Sequence, residues 1–254
     1  MNPNPEPGWP VPPPLPRPVI MDQRWEEAVF LHWRITEAEA ARHMPVGVQP
    51  DMFDGSAWLG LIGFRMRNAG IGRGPGIPYF GSFNEVNVRL YSREPDGTRG
   101  VVFLSLDADR LAVVVAARSA GVPYVWSRIG FRGGDDKTGT TGYTVRRFGA
   151  GSASSSFDVI PRREELADDP LSIHLTARFG MHSTFLGRPI YVPNTHAPWP
   201  LYHATAGSLS DGLVSAAGLT VTGPPESVLY SPGVRTQFGR PRRITLQPGK
   251  EPQA

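Results

Sequence analysis

Residues Asn84–Ser92 read NEVNVRLYS, a strict alternation of Val86, Val88 and Leu90 on one side with Glu85, Asn87, Arg89 and Tyr91 on the other. A period of two residues is the signature of a β-strand, because successive side chains leave a pleated backbone on opposite faces. Periodicity alone does not say which face is buried. Solvated, the Glu85–Asn87–Arg89 row is an ordinary charged strand surface. Turned into a cavity, it makes Glu85 a candidate general acid or base with Arg89 as its charge partner.

Working outward, AWLGLIGFRM at Ala57–Met66 is apolar and glycine-bounded, a buried strand by pattern, and Val101–Leu106 reads as a third strand ended by Asp107 and Asp109. Those aspartates can cap a helix over Asp109–Ala120. Val122–Phe131 and Tyr143–Phe148 read as further strands. Tyr191 to Thr205 and Ser227 to Phe238 read as extended segments. Short helices are expected at Thr36–His43, where Glu37 and Glu39 come early and Arg42 late, at Asp169–Phe179 opening on Pro170, and at Leu209–Ala217 ended by Gly218. GAGSASSS at Gly149–Ser156 and the glycine-rich run Gly70–Gly76 read as loops, the second as a lid over a pocket. Many strands with few short helices make an α+β, mainly-β single domain.

Composition agrees. The 254 residues are 40% hydrophobic and 19% charged, which supplies a core, and 29 glycines with 27 prolines favour turns over long helices. No apolar run approaches the roughly 18 residues of a membrane span. The absence of cysteine removes thiol nucleophiles, disulfides and thiolate metal sites. The first twenty residues hold nine prolines and no apolar signal core, so the chain reads as cytoplasmic, with a disordered proline-rich arm over 1–20, a domain over 21–245 and a disordered tail over 246–254. Of 26 basic residues two are lysine, Lys137 and Lys250. The arginines are dispersed rather than striped, which argues against a nucleic-acid partner.

Two further constellations stand out. Arg118-x-x-Gly121-x-Pro123-Tyr124 is a helix-to-strand corner of a kind that delivers a side chain, here Tyr124 or Trp126, into a pocket. His196-x-Pro198-Trp199-Pro200 fixes an imidazole and an indole between prolines. His174, His182 and His203 are near in sequence, but no short-spaced ligand pair appears, so no metal is expected. Gly70-x-Gly72-x-Gly74 leads into no helix and is not a dinucleotide fingerprint. Nucleophile-elbow and Walker motifs are absent, and no cofactor is expected.

Taken in order, several segments resemble the uncharacterised YqjF-like branch of the acetoacetate decarboxylase-like superfamily. They are FLHWRI at Phe30–Ile35, DMFDGSAWLGLIGFRMR at Asp51–Arg67, SFNEVNVRLY at Ser82–Tyr91 and VVFLSLDADRLAVVVAAR at Val101–Arg118. GVPY at Gly121–Tyr124, THAPWPLYHA at Thr195–Ala204 and VLYSPGV at Val228–Val234 complete the set, which runs from about Arg24 to Arg243. The resemblance implies a closed, cone-like antiparallel β-barrel with flanking short helices around a hydrophobic small-molecule cavity. It also implies association into homo-oligomers, which the residues themselves do not fix.

The decarboxylases of that superfamily work through a lysine Schiff base. Their lysine segment matches this chain at Arg118, Gly121 and Pro123, but the lysine position falls on Tyr124, and the neighbouring-strand glutamate falls on Glu85. Tyrosine forms no iminium. Lys250 lies in the tail, and Asp135 and Asp136 beside Lys137 would hold its amine protonated. The resemblance therefore leaves a cofactor-free, lyase- or isomerase-type enzyme acting on an enolisable carbonyl compound, with isomerisation, cyclisation, dehydration or decarboxylation as outcomes. Such an enzyme suits a biosynthetic role in secondary metabolism. Glu85, Tyr124 and His196 are its candidate catalytic residues, and Arg65, Asn87, Arg89, Arg118, Trp126 and Trp199 its candidate substrate contacts.

Two other readings stay open. One is a non-catalytic binding protein, with a cavity lined mainly by Trp58, Phe64, Phe103, Trp126 and Trp199 and with Glu85 paired and exposed. The other is an interaction protein working through the proline-rich arm. The enzyme reading instead requires Glu85, Tyr124 and an arginine to converge, with the Glu85 pKa raised.

Overall fold

Both faces of the Asn84–Ser92 strand are buried, which neither a one-sided surface strand nor a simple alternation anticipates. The computed structural model describes residues 8–119, 121–133, 139–149 and 152–245. Its first half contains β1 (Met21–Ile35), α1 (Glu37–Ala41), β2 (Gln49–Pro50), β3 (Ala57–Ile71), β4 (Phe83–Arg93), β5 (Arg99–Ala108) and α2 (Leu111–Ser119). Then come β6 (Tyr124–Arg132), β7 (Thr141–Arg147), β8 (Ser154–Leu166), α3 (Pro170–Thr176), β9 (Gly180–Phe185) and β10 (Arg188–His196). The chain ends with β11 (Tyr202–Asp211), α4 (Leu213–Ala216), β12 (Ser227–Phe238) and β13 (Arg242–Arg243).

The strands join one sheet that closes on itself. Pairing runs β5–β6–β7–β8–β11–β12–β1–β3–β4, and β4 pairs β5 again. A second arc, β9–β10, bridges β5 to β12, so β12, β1, β3, β4 and β5 form a wall shared by two rings. Closure leaves only the two-residue strands β2 and β13 at the ends of the sheet order, each paired on one side among the described residues, which limits the edges that could template aggregation. Most pairings are antiparallel, as expected. The exceptions are at β5, which runs parallel to β6 and to β9.

The shared wall explains the double burial. Val29 and Leu31 of β1, Leu59 and Leu61 of β3, and Val86 and Val88 of β4 pack with Tyr143 and Phe157 of the larger ring into a solid core. The other face of the same strands, with Phe30, Ile62, Phe64 and Phe83, joins Trp199 and Leu201. Alternation thus sorts residues between two interiors rather than between core and water.

Local signals account for the helices. Thr36 makes a capping box with Glu39 at α1, and Asp169 caps α3 through the Leu171 and Ser172 amides, ahead of Pro170. Several expectations need correction. Asp107 does not cap a helix but is buried within β5. Leu209 to Asp211 belong to β11, so α4 starts only at Leu213. Ser154–Ser156 open strand β8. The run after Ile71 is tied down by Ile77 N–H to Ala69 O and Ala69 N–H to Gly81 O, which makes it a docked wall segment.

Trp9, in the proline-rich arm, packs edge-on to His196. Lys137, Lys250, residues 1–7 of the arm and the tail over 246–254 lie outside the described residues. Among the described residues no helix is long and apolar enough to cross a membrane.

Candidate active site

A cavity of about 670 Å³ fills the smaller ring, and its walls are predominantly apolar. Strand β4 contributes Phe83, Glu85, Asn87 and Arg89 from its inward positions, and β3 contributes Ile62, Phe64 and Met66. Trp25 and Phe30 come from β1, Met181 and Ser183 from β9, and Ile190 and Val192 from β10. Helix α2 and the docked segment close the remaining side with Ala112, Ala116, Ile77 and Phe80.

At the centre of the polar row, Tyr124 Oη donates to Glu85 Oε2 at 2.6 Å, and Asn87 Nδ2 donates to Glu85 Oε1 at 3.3 Å. The pair is assembled by two registers. Asn87 pairs with Leu106 across β4–β5, and Leu106 pairs with Tyr124 across the parallel β5–β6 junction. Glu85 is 2% exposed, and burial pushes its carboxyl up to about 7, against the lowering effect of its Tyr124 and Asn87 hydrogen bonds. The nearby Asp107 charge raises it further and Arg89 opposes. Burial, then the Glu85 carboxylate, hold the Tyr124 phenol well above its usual range, so it stays a hydroxyl donor.

Arg89 lies along the same row. Its Nε and Nη2 donate to Tyr91 Oη at 3.3 and 3.2 Å, and Nη2 donates to Leu175 O at 3.3 Å. The Tyr91 oxygen, already accepting from Arg89, is free to donate its own proton to His32 Nε2 at 2.7 Å. Burial keeps His32 neutral and able to accept it. Among the described residues no carboxylate lies within ion-pair distance of Arg89. Its partners are all neutral. Asn87 Oδ1 is buried without a partner.

The structure therefore brings together Glu85, Tyr124, Asn87, Arg89 and Trp199 of the residues singled out in the sequence. It separates the others. His196 stands behind Trp25 and Trp199, its ring nitrogens facing the carbonyls of Ala197 at 2.8 Å and Arg178 at 3.3 Å, and burial lowers its pKa. It does not line the cavity.

Arg65 points away, because alternation that turns Phe64 and Met66 inward sends Arg65 to the opposite face, where it stacks on Phe131 at 4.5 Å. Arg118 is exposed and donates to the Tyr124 carbonyl, fixing the corner rather than a ligand. Trp126 is 39% exposed and stacks on Phe148 outside the cavity. Of the aromatic lining named for a binding protein, Phe64, Phe103 and Trp199 line the cavity and Trp58 does not.

Sequence reasoning passed over Tyr91 and His32, which hold Arg89 from behind, and Ile77 and Phe80 at the rim. Tyr91 had a signal, as the next same-face residue after Arg89. His182 and His174 serve buried polar clusters with Glu94 and Asp51, apart from His196. Both lysines, Lys137 and Lys250, lie outside the described residues.

A family model, DUF2071, described as "Uncharacterized conserved protein", matches residues 22–235. YqjF of Bacillus subtilis, described as an uncharacterized protein, is 29% identical over 212 residues, covering 82% of this chain and 84% of that one. Among solved structures, the enduracididine biosynthesis enzyme MppR complexed with pyruvate superposes with a TM-score of 0.63 at 15% identity, covering 92% of this chain and 91% of that one. Acetoacetate decarboxylase from Legionella pneumophila gives 0.63 at 12%, covering 88% and 87%. An acetoacetate decarboxylase-like enzyme from Sphingomonas wittichii RW1 gives 0.61 at 13%, covering 89% and 93%. At these identities the likeness is one of fold: the chain shares the acetoacetate decarboxylase-like architecture.

Proposed function

The chain belongs to the DUF2071 family, and from that premise we propose that it is a cofactor-free enzyme acting on a small molecule with an enolisable carbonyl. The observation that carries this reading is the Tyr124–Glu85 hydrogen bond inside an apolar cavity, with Glu85 titrating at about 7. A carboxyl poised near neutrality serves as base and as acid in turn, which enolisation requires.

In the proposed step, the substrate carbonyl oxygen takes over the Tyr124 hydroxyl. That removes the hydrogen bond that lowers the Glu85 pKa, so the carboxylate becomes more basic as the substrate docks. Glu85 then withdraws the proton from the carbon next to the carbonyl. The C–H electron pair forms the enolate double bond, and the charge that develops on oxygen is met by the phenol. Return of the proton from Glu85 to the same or another carbon gives exchange or isomerisation. Loss of a β-leaving group from the enolate gives dehydration. In decarboxylation the breaking C–C bond to the carboxylate supplies the enolate electron pair in place of the C–H bond, carbon dioxide leaves, and protonated Glu85 then returns a proton to that carbon. Arg89, charged and without a carboxylate partner among the described residues, holds a substrate carboxylate. Trp199 and Phe30 pack the substrate body and keep water away.

The apolar extent of the walls favours a second reading, a protein that carries the same ligand without changing it. Proton NMR in deuterated water separates the two. Incubation with a panel of keto acids, diketones and unsaturated ketones is expected to erase the signal next to a carbonyl. The loss should disappear in Glu85→Gln and Tyr124→Phe. Binding shifts without exchange anywhere on the panel overturn the enzyme reading in favour of the carrier.

A further inference from the structure

The cavity is far larger than its chemistry needs. About 670 Å³ lies within the range that takes drug-sized ligands, roughly 300–1,000 Å³, and a three- or four-carbon keto acid would leave most of it empty. The ionisable groups and Asn87 lie on one stretch, β4 with the neighbouring Tyr124, while Gln23 and Ser183 are the other polar side chains of the wall. Along β4 the inward positions are Arg89, Asn87, Glu85 and Phe83, spaced about 6.6 Å apart at two residues per step. Arg89 stands opposite Gly60 and Phe103, and Glu85 opposite Phe64 and Ala108.

Past Glu85 the wall is mostly apolar, with Gln23 of β1 as a polar exception. Phe83 pairs with Met66, and the sequence continues along β3 to Ile71. There Ile71, Ile77 and Phe80 are respectively 78%, 43% and 45% exposed while also lining the cavity, so the mouth is at this end. The floor holds a guanidinium whose hydrogen-bond partners are neutral. A ligand seated here runs from an anion at the floor, past the Tyr124–Glu85 pair, to an apolar rim.

Resting on the enolisation reading above, we propose that the substrate is an amphiphilic keto carboxylate of roughly ten or more carbons. Its carboxylate sits on Arg89, its ketone at Tyr124 and Glu85, and its alkyl or aryl tail in the mouth formed by Phe83, Met66, Ile71, Ile77 and Phe80. The α-carbons of Arg89 and Glu85 are about 13 Å apart, and Tyr91 and Leu175 hold the guanidinium toward the floor. That spacing separates carboxylate and ketone by more than the single carbon of a 3-oxo acid.

The test is calorimetric titration of the full chain with 4-oxopentanoate, 4-oxooctanoate and 4-oxododecanoate, and with 2-undecanone as a tailed ketone lacking the carboxylate. Each added methylene should tighten binding about three- to fourfold until the mouth is filled. The keto acid should bind at least about tenfold tighter than the ketone, as a buried charge-assisted pair requires. Arg89→Gln should erase that difference, and Ile77→Asn should flatten the chain-length series. A flat series in the wild type, or equal binding of ketone and keto acid, overturns the proposal without recourse to any variant. Steep chain-length dependence without exchange next to the ketone keeps this site and sinks the enolisation reading. Exchange on 4-oxopentanoate with a flat series does the reverse.

Discussion

The Tyr124 hydroxyl and the Glu85 carboxylate meet at 2.6 Å although 39 residues separate them, on strands that are not neighbours in the sheet. Strand β5 lies between those strands, and its parallel pairing with β6 sets the height at which the phenol arrives. A carboxyl placed this way costs stability, since burial outweighs the lowering hydrogen bonds from Tyr124 and Asn87 and leaves Glu85 at about 7. On the enolisation reading proposed above, that cost is kept for the chemistry.

Replacing the phenol tests the chemistry. The Tyr124 hydrogen bond lowers the Glu85 pKa in the free protein, so at substrate concentrations far below saturation Tyr124→Phe should move the midpoint of the exchange rate above its wild-type position near 7. Because the reactive base is the carboxylate, the wild-type rate should rise with pH through that midpoint and then level. Loss of the carbonyl donor should also lower the plateau roughly 10- to 1000-fold, by analogy with other oxyanion donors. Exchange rates measured by NMR from pH 5 to 9 check both; an unchanged plateau would exclude Tyr124 from the step.

Glu85 also leaves a signature in stability. Its folded pKa of about 7 exceeds the ordinary 4.5, so between those values the folded protein holds a proton that the unfolded chain releases. Stability should therefore be greatest below about 4.5 as far as this group is concerned, fall as pH rises through 7, and then level. The full span is about 3 kcal/mol. Glu85→Gln keeps an acceptor for Tyr124 and removes the titration. Buried and held neutral, His32, His174, His182 and His196 add an opposite, rising trend common to both proteins. Urea unfolding at pH 5 and pH 8 should therefore show the wild type losing stability relative to the variant by up to about 3 kcal/mol. Equal pH slopes in the two proteins would contradict the buried-carboxyl account.

Much of this architecture is written locally, and the site only in part. Ser227–Phe238 is legible to the residue because its alternation and flanking glycines are local features, and Thr36 with Glu39 announces α1 in the same way. Strand β8 is not legible: SSSFDVIPRREEL is rich in hydroxyls and charges and holds a proline, and it becomes a strand through its partners β7 and β11. The row Glu85–Asn87–Arg89 can be read from period two. That it faces a cavity depends on β9 and β10 closing over it, which is a long-range fact. Arg65 shows the same limit, since its side of β3 follows only once Phe64 is known to face inward. His196 looked chemical because prolines surround it, yet two carbonyls and four aromatic rings take up its surface.

The Asp107–Arg147 pair supports the site from behind. Arg147 grips Asp107 with two hydrogen bonds of 2.8 and 2.9 Å, Ser127 Oγ adds a third at 2.6 Å, and Asp107 is 0% exposed. Arg147→Met strands a buried carboxylate and should cost about 3–5 kcal/mol. Adding Asp107→Asn to that variant should recover a large part of the loss, and it should lower the Glu85 pKa by removing a neighbouring charge. Denaturant titrations of the wild type, both single variants and the double variant measure the coupling. Additive losses would mean the two residues act independently.

Gly63 marks where the two interiors press on one wall. It pairs with Val29 on β1 and Val86 on β4, and a Cβ there would stand 2.5 Å from Tyr143 Cδ2 and 3.0 Å from Phe157 Cζ. Tyr143 has little freedom to yield, because its hydroxyl donates to the Glu27 carbonyl at 2.7 Å and its ring is buried. The strand must move instead, and Phe64, the next residue, pairs with Glu85 on the cavity side. Gly63→Ala should therefore cost about 1–3 kcal/mol by overpacking, a fall of several degrees in Tm for a chain of this size. It should also alter ligand binding on the far face of the wall. A variant of full stability would show that the solid core has slack that the packing of Tyr143 and Phe157 does not suggest. A destabilised variant with unchanged ligand affinity would show that the two faces of the wall are mechanically independent.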